Sequence, residues 1–414
     1  MLASTVLRAQ RFPTMPKVSH EILSWARETA GLSPSEAVEK LGISDARGIP
    51  AVDRLAAIEA GEVEPSRPLL LKMAQHYRRP LVTFYMSGPP RKGDRGEDFR
   101  NVPDRHTDAE ALVDALVRDI RARQSMVRAV LVDDEEAKPL PFIGSMNMGD
   151  GVGAVLASIR QVIRIDLSEF RAQASPESAF ALLRSRVEAA GVFVLLMGSL
   201  GSHHSAIDVE AFRGFALADD VAPFVVLNDQ DARSAWSFTL IHELAHLWLG
   251  TTGVSGVFAD AQIEKFCNDV AGSFLLPANE LPLVGVDLKT EVEKAARRIG
   301  EFAEGRHLSR SMVAYSLLRA GSLTDNTWRT LMGLFQAQWR QSRDAKRERQ
   351  KDSTGPNYYI VRRHRLGSAL LRFVSRNMGD GALTPTKASQ VLGVKPRSVA
   401  PLLSTVGLSG GQAR

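Results

Sequence analysis

The feature that most constrains this 414-residue chain is the apolar segment 238–250, which contains the motif H-E-L-A-H. In a helix, residues four apart lie on one face, about one turn from each other. His242 and His246 can therefore reach the same metal ion, while Glu243 between them can act on a neighbouring water. This arrangement is typical of zinc peptidases.

The residues around the motif predict a helix that is buried on nearly all sides, because almost every neighbour is apolar. Ser237 or Thr239 is predicted to start it, since a side-chain oxygen there can accept a hydrogen bond from the first turn. Gly250 is predicted to end it, because glycine readily adopts the left-handed conformation that follows a helix.

A third metal ligand is available eighteen residues after the motif. A catalytic zinc takes three protein ligands and leaves one position for water, and two histidines with one glutamate are a common set. Glu264 offers the carboxylate on a second predicted helix, where Asn268 is placed to orient a ligand. The sequence therefore predicts a Zn²⁺ site held by His242, His246 and Glu264, with Glu243 as the catalytic base.

The surroundings of the motif resemble the ImmA/IrrE family of metallopeptidases over roughly residues 190–335. A strand-like PFVVLND precedes FTLIHELAH, and ExxCNxxAxxFLLP follows it. The family-typical residues stand here as His242, Glu243, His246, Glu264, Asn268, Ala271, Leu275 and Pro277. Cys267 departs from the pattern, since an alanine is usual there. It is interpreted as a small buried residue, the alternative being a competing zinc ligand.

The resemblance implies a gluzincin-like zinc endopeptidase. Members of this family are known or suspected to cut helix-turn-helix repressors, so the expected substrate is a repressor or a toxin–antitoxin partner. The alternative is an antitoxin or transcriptional regulator that acts by binding protein or DNA, with a metal site that serves structure alone. Four side chains are candidates for stabilising the oxyanion, and the sequence does not choose among them: Arg306, His307, Arg310 and Tyr315.

The predicted fold class is α+β and predominantly helical. Strands are predicted at 191–197, 211–217 and 223–228, forming a small sheet whose edge strand can hold a substrate backbone. Four segments are predicted: an Xre-like helix-turn-helix domain at 19–88, a linker and helix at 89–150, the metallopeptidase domain at 151–338, and a basic helical C-terminal domain at 339–414.

The N-terminal segment is predicted to form five short helices, and Ser33 to Glu36 read as a capping box. The stretch IEAGEVEPSRPLLLKMAQHYRRPL resembles the second half of an Xre-type domain. However, residues 19–80 hold 8 Lys and Arg against 9 Asp and Glu, whereas phosphate contacts need cations. DNA binding, docking onto a protein partner and a structural role therefore all stay open.

The basic charge of the chain lies at its C-terminal end, where residues 340–414 hold 15 Lys and Arg against 4 Asp and Glu. LTPTKASQVLGVKPRSVAPLL predicts a helix, a glycine turn and a second helix. This segment is either a DNA contact or a helical cap with a solvated positive face. The candidates for phosphate contact are Arg362, Arg363, Arg365, Lys395 and Arg397.

The single cysteine excludes an intramolecular disulfide framework and favours the cytoplasm. No apolar run approaches the eighteen residues of a membrane span, so no membrane partner is expected. Residues 1–14 are interpreted as a disordered extension before a second start at Met15, the alternative being a transit peptide. His203 and His204 are interpreted as surface residues, because they lack ligand spacing.

Overall fold

The computed structural model describes residues 17–89, 108–201, 205–254, 261–350 and 357–404. The predicted N-terminal extension, most of the predicted linker, and His203 and His204 lie outside these residues. The chain divides into two compact units, one up to Ala115 and one from Leu116 onward.

The described elements confirm a predominantly helical α+β fold. The helices are α1 (His20–Glu28), α2 (Pro34–Leu41), α3 (Ala51–Glu59), α4 (Arg67–His76), α5 (Asp108–Asp133), α6 (Gly151–Ile163), α7 (Leu167–Arg171), α8 (Pro176–Ala189), α9 (Arg233–Trp248), α10 (Ala261–Leu275), α11 (Val292–Glu304), α12 (Arg310–Arg319), α13 (Asp325–Gln350), α14 (Tyr358–Leu366), α15 (Ser368–Gly379), α16 (Pro385–Leu392) and α17 (Val399–Leu403). The strands are β1 (Phe193–Leu196), β2 (Gly214–Leu217), β3 (Phe224–Leu227) and β4 (Gly253–Val254). Within the described ranges, no helix is both long and apolar enough to cross a membrane.

The N-terminal unit contains α1 to α4 and a 3-10 turn at Leu81–Tyr85, packed around an apolar core of their own. The predicted capping box is confirmed, because the Ser33 side chain accepts from the Glu36 amide while the Glu36 carboxylate accepts from the Ser33 amide. A partly buried ion pair of 2.8 Å joins Arg27 on α1 to Glu59 on α3. The helical character of this unit agrees with prediction, and its identity as a helix-turn-helix domain stays a prediction.

The sheet has the order β1-β3-β2-β4 and contains all three predicted strands. β1 runs parallel to β3, with Phe193 opposite Phe224, and β2 runs antiparallel to both β3 and β4. Every residue of β1, β2 and β3 is buried. Helices α8, α14 and α15 contact β1, and α9 contacts β2 and β3. β4 was not predicted, since two residues are too few to form a pattern.

Helix α9 crosses the core of the second unit, where it contacts β2, β3, α8 and α10. It begins at Arg233, so the predicted start at Ser237 or Thr239 is wrong. The helix thus has one more turn at its start than predicted, and no side chain caps this turn. Within it, the guanidinium of Arg233 lies 4.1 Å from the centre of the Trp236 ring. The predicted end is confirmed: Gly250 has a φ of +65° directly after the helix.

Helices α14 to α17 pack in the second unit, where α14 and α15 contact the edge strand β1. A buried arginine holds them there. Arg184 on α8 donates to the carbonyl of His364 over 2.6 Å and also to the carbonyl of Val194 on β1. These helices therefore belong to the same compact unit as the sheet and α9, while the domain boundaries stay predictions.

The charge of Arg184 is balanced by Glu188, which is also buried and lies 3.0 Å away. The second oxygen of Glu188 accepts hydrogen bonds from the amides of Ser368 and Ala369, each over 3.1 Å. These amides open α15, so a carboxylate from α8 caps the N-terminus of a helix in the C-terminal segment.

Three of the five residues predicted to contact phosphate make contacts within the second unit, and phosphate contact stays a prediction. These are Arg362, Arg363 and Arg365. Arg362 donates to two carbonyls at the end of α16, over 2.7 and 3.0 Å. Arg363 donates to two carbonyls of α17, over 2.9 and 3.0 Å. Arg365 forms an ion pair of 2.6 Å with Asp229. Of the five candidates, Lys395 and Arg397 are the two exposed ones.

Replacing Gly367 by alanine should test the docking of these helices. Gly367 has a φ of +78°, and an added Cβ would overlap the Arg184 and Glu188 side chains and lie 2.8 Å from the carbonyl of Val194. Gly381 has a similar φ of +81° with open space around it, so Gly381→Ala is the matched control.

Gly381→Ala should lower the free energy of unfolding by about 1–2 kcal/mol, because alanine is strained in the left-handed conformation. Gly367→Ala should lower the free energy of unfolding by a further ~1–3 kcal/mol, because of the overlap. Urea denaturation of the full chain measures both values. Equal costs for the two variants would show that the Arg184–Glu188 contact is not tightly packed against Gly367.

Candidate metal centre

Three side chains of α9 and α10 converge on one point. The Nε2 atoms of His242 and His246 lie 3.2 Å apart. One carboxylate oxygen of Glu264 lies 3.3 Å from Nε2 of His242, and the other lies 3.2 Å from Nε2 of His246. Within the described ranges, no other set of three or more His, Cys, Asp or Glu side chains is close enough to hold a metal ion.

The sequence accounts for this convergence. The i, i+4 spacing places both imidazoles on one side of α9, and α10 packs along that helix. Val270, Ala271 and Phe274 bury the apolar face of α10 in the core that α9 shares. Glu264, in the first turn of α10, is thereby brought to the two histidines, as the sequence predicted.

The site is deeply buried. His242 and His246 are each 4% exposed, Glu243 is 0% exposed, and the Glu264 side chain is the most accessible at 19%. Two imidazoles and two carboxylates in an apolar core are costly unless their charges and lone pairs are matched. The donor set, two imidazole nitrogens and a carboxylate, fits a divalent cation such as zinc.

The protonation of the ligands reflects their mutual contacts. Burial disfavours the charged form of His246, but the hydrogen bonds of Cys267 and Glu264 outweigh it and raise the pKa of His246 to about 11. Burial acts against ionisation of Glu264 too, yet the hydrogen bonds of His242 and His246 prevail and lower the pKa of Glu264 to about 2. A cation that binds here must therefore displace a proton from the imidazole.

Thr251, which sequence reasoning missed, orients one ligand. Its Oγ1 lies 3.0 Å from Nδ1 of His246 and 3.2 Å from the backbone oxygen of His246. The imidazole can donate from Nδ1 to the hydroxyl, which in turn donates to the carbonyl. Nε2 is thereby the nitrogen that faces the centre, and its lone pair becomes available to a cation that displaces the proton. The only signal in the sequence is a hydroxyl residue directly after the helix-ending Gly250.

Cys267 is fully buried, one turn after Glu264 on α10. It hydrogen-bonds to His246, and burial raises the pKa of its thiol. Its sulfur is not a member of the group of ligand atoms that lie within 4.8 Å of one another. This agrees with the interpretation of Cys267 as a small buried residue.

Glu243 lies directly beneath β2. An ideal Cβ built at Gly214, the first residue of β2, would be 2.8 Å from Oε1 of Glu243 and 2.7 Å from a methyl carbon of Thr239. Only glycine therefore fits at this position without displacing the carboxylate. The close approach of β2 holds Glu243 in place beside the metal ligands.

The other predicted groups are not placed at the centre. Asn268 is half-buried and forms no hydrogen bond with the three ligands in the described structure, so its orienting role stays a prediction. The four candidates for the oxyanion donor have partners elsewhere: Arg306 with Glu280, His307 with the carbonyl of Gln173, Arg310 with Gln338, and Tyr315 with Asp269. The donor is therefore unassigned.

Comparison with known families agrees with this geometry. Residues 192–317 match the peptidase M78 family model, described as the IrrE N-terminal-like domain. The matched segment includes the sheet, α9, α10 and all three ligand positions. It is a metallopeptidase-type domain of the ImmA/IrrE family. No curated protein and no solved structure matches the chain.

Removal of a ligand should abolish metal binding. His242→Ala, His246→Ala and Glu264→Gln should each reduce the bound divalent metal from one per chain to near zero, because each deletes one of three donors. Cys267→Ala should keep one metal per chain. Elemental analysis of the folded variants measures this, and loss of metal in Cys267→Ala would instead identify a fourth ligand.

Substitution of Thr251 should weaken metal binding without removing a donor. Thr251→Val should raise the Kd for zinc about 10- to 100-fold, because the His246 ring loses its orienting partner. Thr251→Ser should restore the affinity. Thr252→Val is the matched control, since the Thr252 hydroxyl accepts a hydrogen bond from Ala218 instead. Competition with a chelating dye measures the affinities, and equal Kd values for both valine variants would contradict this role.

Proposed function

We propose that this chain is a zinc-dependent endopeptidase that cleaves a regulatory protein. The convergence of His242, His246 and Glu264 around one point, with Glu243 buried beside them, carries the proposal. A metallopeptidase-type domain narrows the chemistry to peptide hydrolysis, and the ligand set favours zinc over harder cations.

The residues around the centre have different roles in binding the metal. His242, His246 and Glu264 would hold the cation, which when bound supplies a Lewis acid for the scissile carbonyl and lowers the pKa of water. Thr251 keeps the His246 ring in its binding orientation. Because Glu264 is the most accessible ligand, substrate approaches from its side of the centre.

Glu243 acts as the general base. Its carboxylate takes a proton from the attacking water and passes it to the nitrogen of the leaving amine. Its complete burial keeps competing water away from the carboxylate, and Gly214 of β2 fixes its position. Glu243 can act as the base without binding the metal, whereas the two histidines act as metal ligands.

The proposed substrate is a helix-turn-helix repressor or a cognate toxin. Support comes from the likeness to the IrrE N-terminal-like domain and from the separate helical N-terminal unit. The substrate backbone would add to the sheet at β4, which directly follows α9. Helices α14 and α15 pack on the opposite edge strand, β1, and thereby cover it.

The second candidate function is an antitoxin or transcriptional regulator that binds protein or DNA around a structural metal. A closed structural site needs a fourth protein ligand, and Cys267 lies outside the ligand group. Arg362, Arg363 and Arg365 make internal contacts, so fewer cations of the C-terminal segment are available to bind DNA. DNA binding by the N-terminal unit is the other possibility, although the numbers of acidic and basic residues there are nearly equal.

Glu243→Gln should separate hydrolysis from binding. The variant should keep one metal per chain and lose about 10²- to 10⁴-fold in cleavage rate, because it lacks the general base. The assay incubates zinc-loaded protein with the proteins encoded beside its gene, and mass spectrometry locates any cut. Glu210→Gln, an exposed carboxylate on the same domain, is the control and should cleave normally.

Full cleavage by Glu243→Gln would remove this residue from the mechanism. A tight complex with a neighbour-encoded protein, with metal bound and no cleavage by wild type or variant, would favour the binding function instead.

A further inference from the structure

A cavity lies within the unit that begins at Leu116, between α15, β1 and the end of α5. Its volume is about 640 Å³, which falls in the range of sites for small organic molecules. The end of α5, the turn between α8 and β1, and one face of α15 form its walls. Its apolar lining includes Leu131, Phe193, Val221, Ala369 and Phe373.

The acidic groups of the cavity are already neutralised. Glu188 pairs with Arg184 and caps α15, as described above. Glu136 forms an ion pair with Arg376 across the mouth. Neither carboxylate is therefore available to a cationic ligand.

Two cations of the cavity have no such partner. Lys138 and Arg372 both line it and are exposed, and neither side chain forms a hydrogen bond or ion pair with any described residue. An apolar cavity with two uncompensated cations at its mouth is complementary to a molecule with an apolar body and an anionic end. The guanidinium fork of Arg372 matches the two oxygens of a carboxylate.

We infer that this cavity binds a small organic acid, with its hydrocarbon or aromatic body against Phe193 and Phe373 and its carboxylate at Arg372 and Lys138. The site is separate from the metal centre, and the inference does not depend on the proposed peptidase function.

The walls of the cavity are linked to the segment before α9. Glu188 ties α15 to α8, and α14, the helix that precedes α15, reaches that segment through the ion pair of Arg365 with Asp229. A ligand that bridges α5, β1 and α15 adds contacts that exist only in the folded unit. Occupancy should therefore stabilise the docked C-terminal helices.

Equilibrium dialysis of the full chain against dodecanoate, below its critical micelle concentration, tests the inference. Wild type should show one saturable site. The double variant Lys138→Gln with Arg372→Gln should bind at least about tenfold more weakly, because both charge-assisted contacts are lost. Dodecyltrimethylammonium, with the same chain and the opposite charge, should bind wild type at least about tenfold more weakly than dodecanoate.

Two further variants complete the test. Lys395→Gln with Arg397→Gln removes two exposed cations outside the cavity and should leave binding unchanged. Ala369→Phe places a ring in the cavity and should abolish binding while both cations remain. Circular dichroism verifies that each variant is folded. Absence of a saturable site in wild type, equal binding of the two amphiphiles, or unchanged binding in the folded Ala369→Phe variant would overturn the inference.

Discussion

The structure depends on how two imidazoles and two carboxylates are accommodated inside an apolar core. Helix α9 is buried along most of its length, so its polar residues cannot rely on water. Glu264 is brought to the imidazoles by the packing of α10, Thr251 returns to His246 after the turn at Gly250, and Gly214 lets β2 approach Glu243. Helix α10, the turn after α9 and strand β2 thus each contribute one contact to the centre.

The C-terminal helices show a different use of charge. A segment rich in arginine suggests a nucleic-acid surface, yet these guanidinium groups donate to helix-end carbonyls and to Asp229. On α8, the buried ion pair of Arg184 with Glu188 contacts α14, α15 and β1. The basic residues therefore stabilise the packing of α14 to α17 on one another and of α14 and α15 against β1. That packing covers a sheet edge that would otherwise be open to pairing with another chain.

The sequence predicted whatever depends on local periodicity. The spacing of His242 and His246 specifies a shared face, and the continuous apolar runs predicted three buried strands in nearly correct positions. It failed where the outcome depends on distant contacts. The first turn of α9 lacks a capping side chain, and the role of Thr251 requires the turn that returns the chain to His246. The internal pairing of Arg362 depends on carbonyls thirty residues away, which charge counting cannot reveal.

X-ray absorption at the zinc edge of the zinc-loaded protein would distinguish an open three-ligand centre from a closed one. For an open centre we expect two imidazole nitrogens and oxygen ligands from Glu264 and water, all at roughly 2.0–2.2 Å, and no sulfur. A scatterer at roughly 2.3 Å would identify Cys267 as a fourth ligand and a closed structural site. That result would contradict the catalytic interpretation of Glu243 and favour a protein that acts by binding.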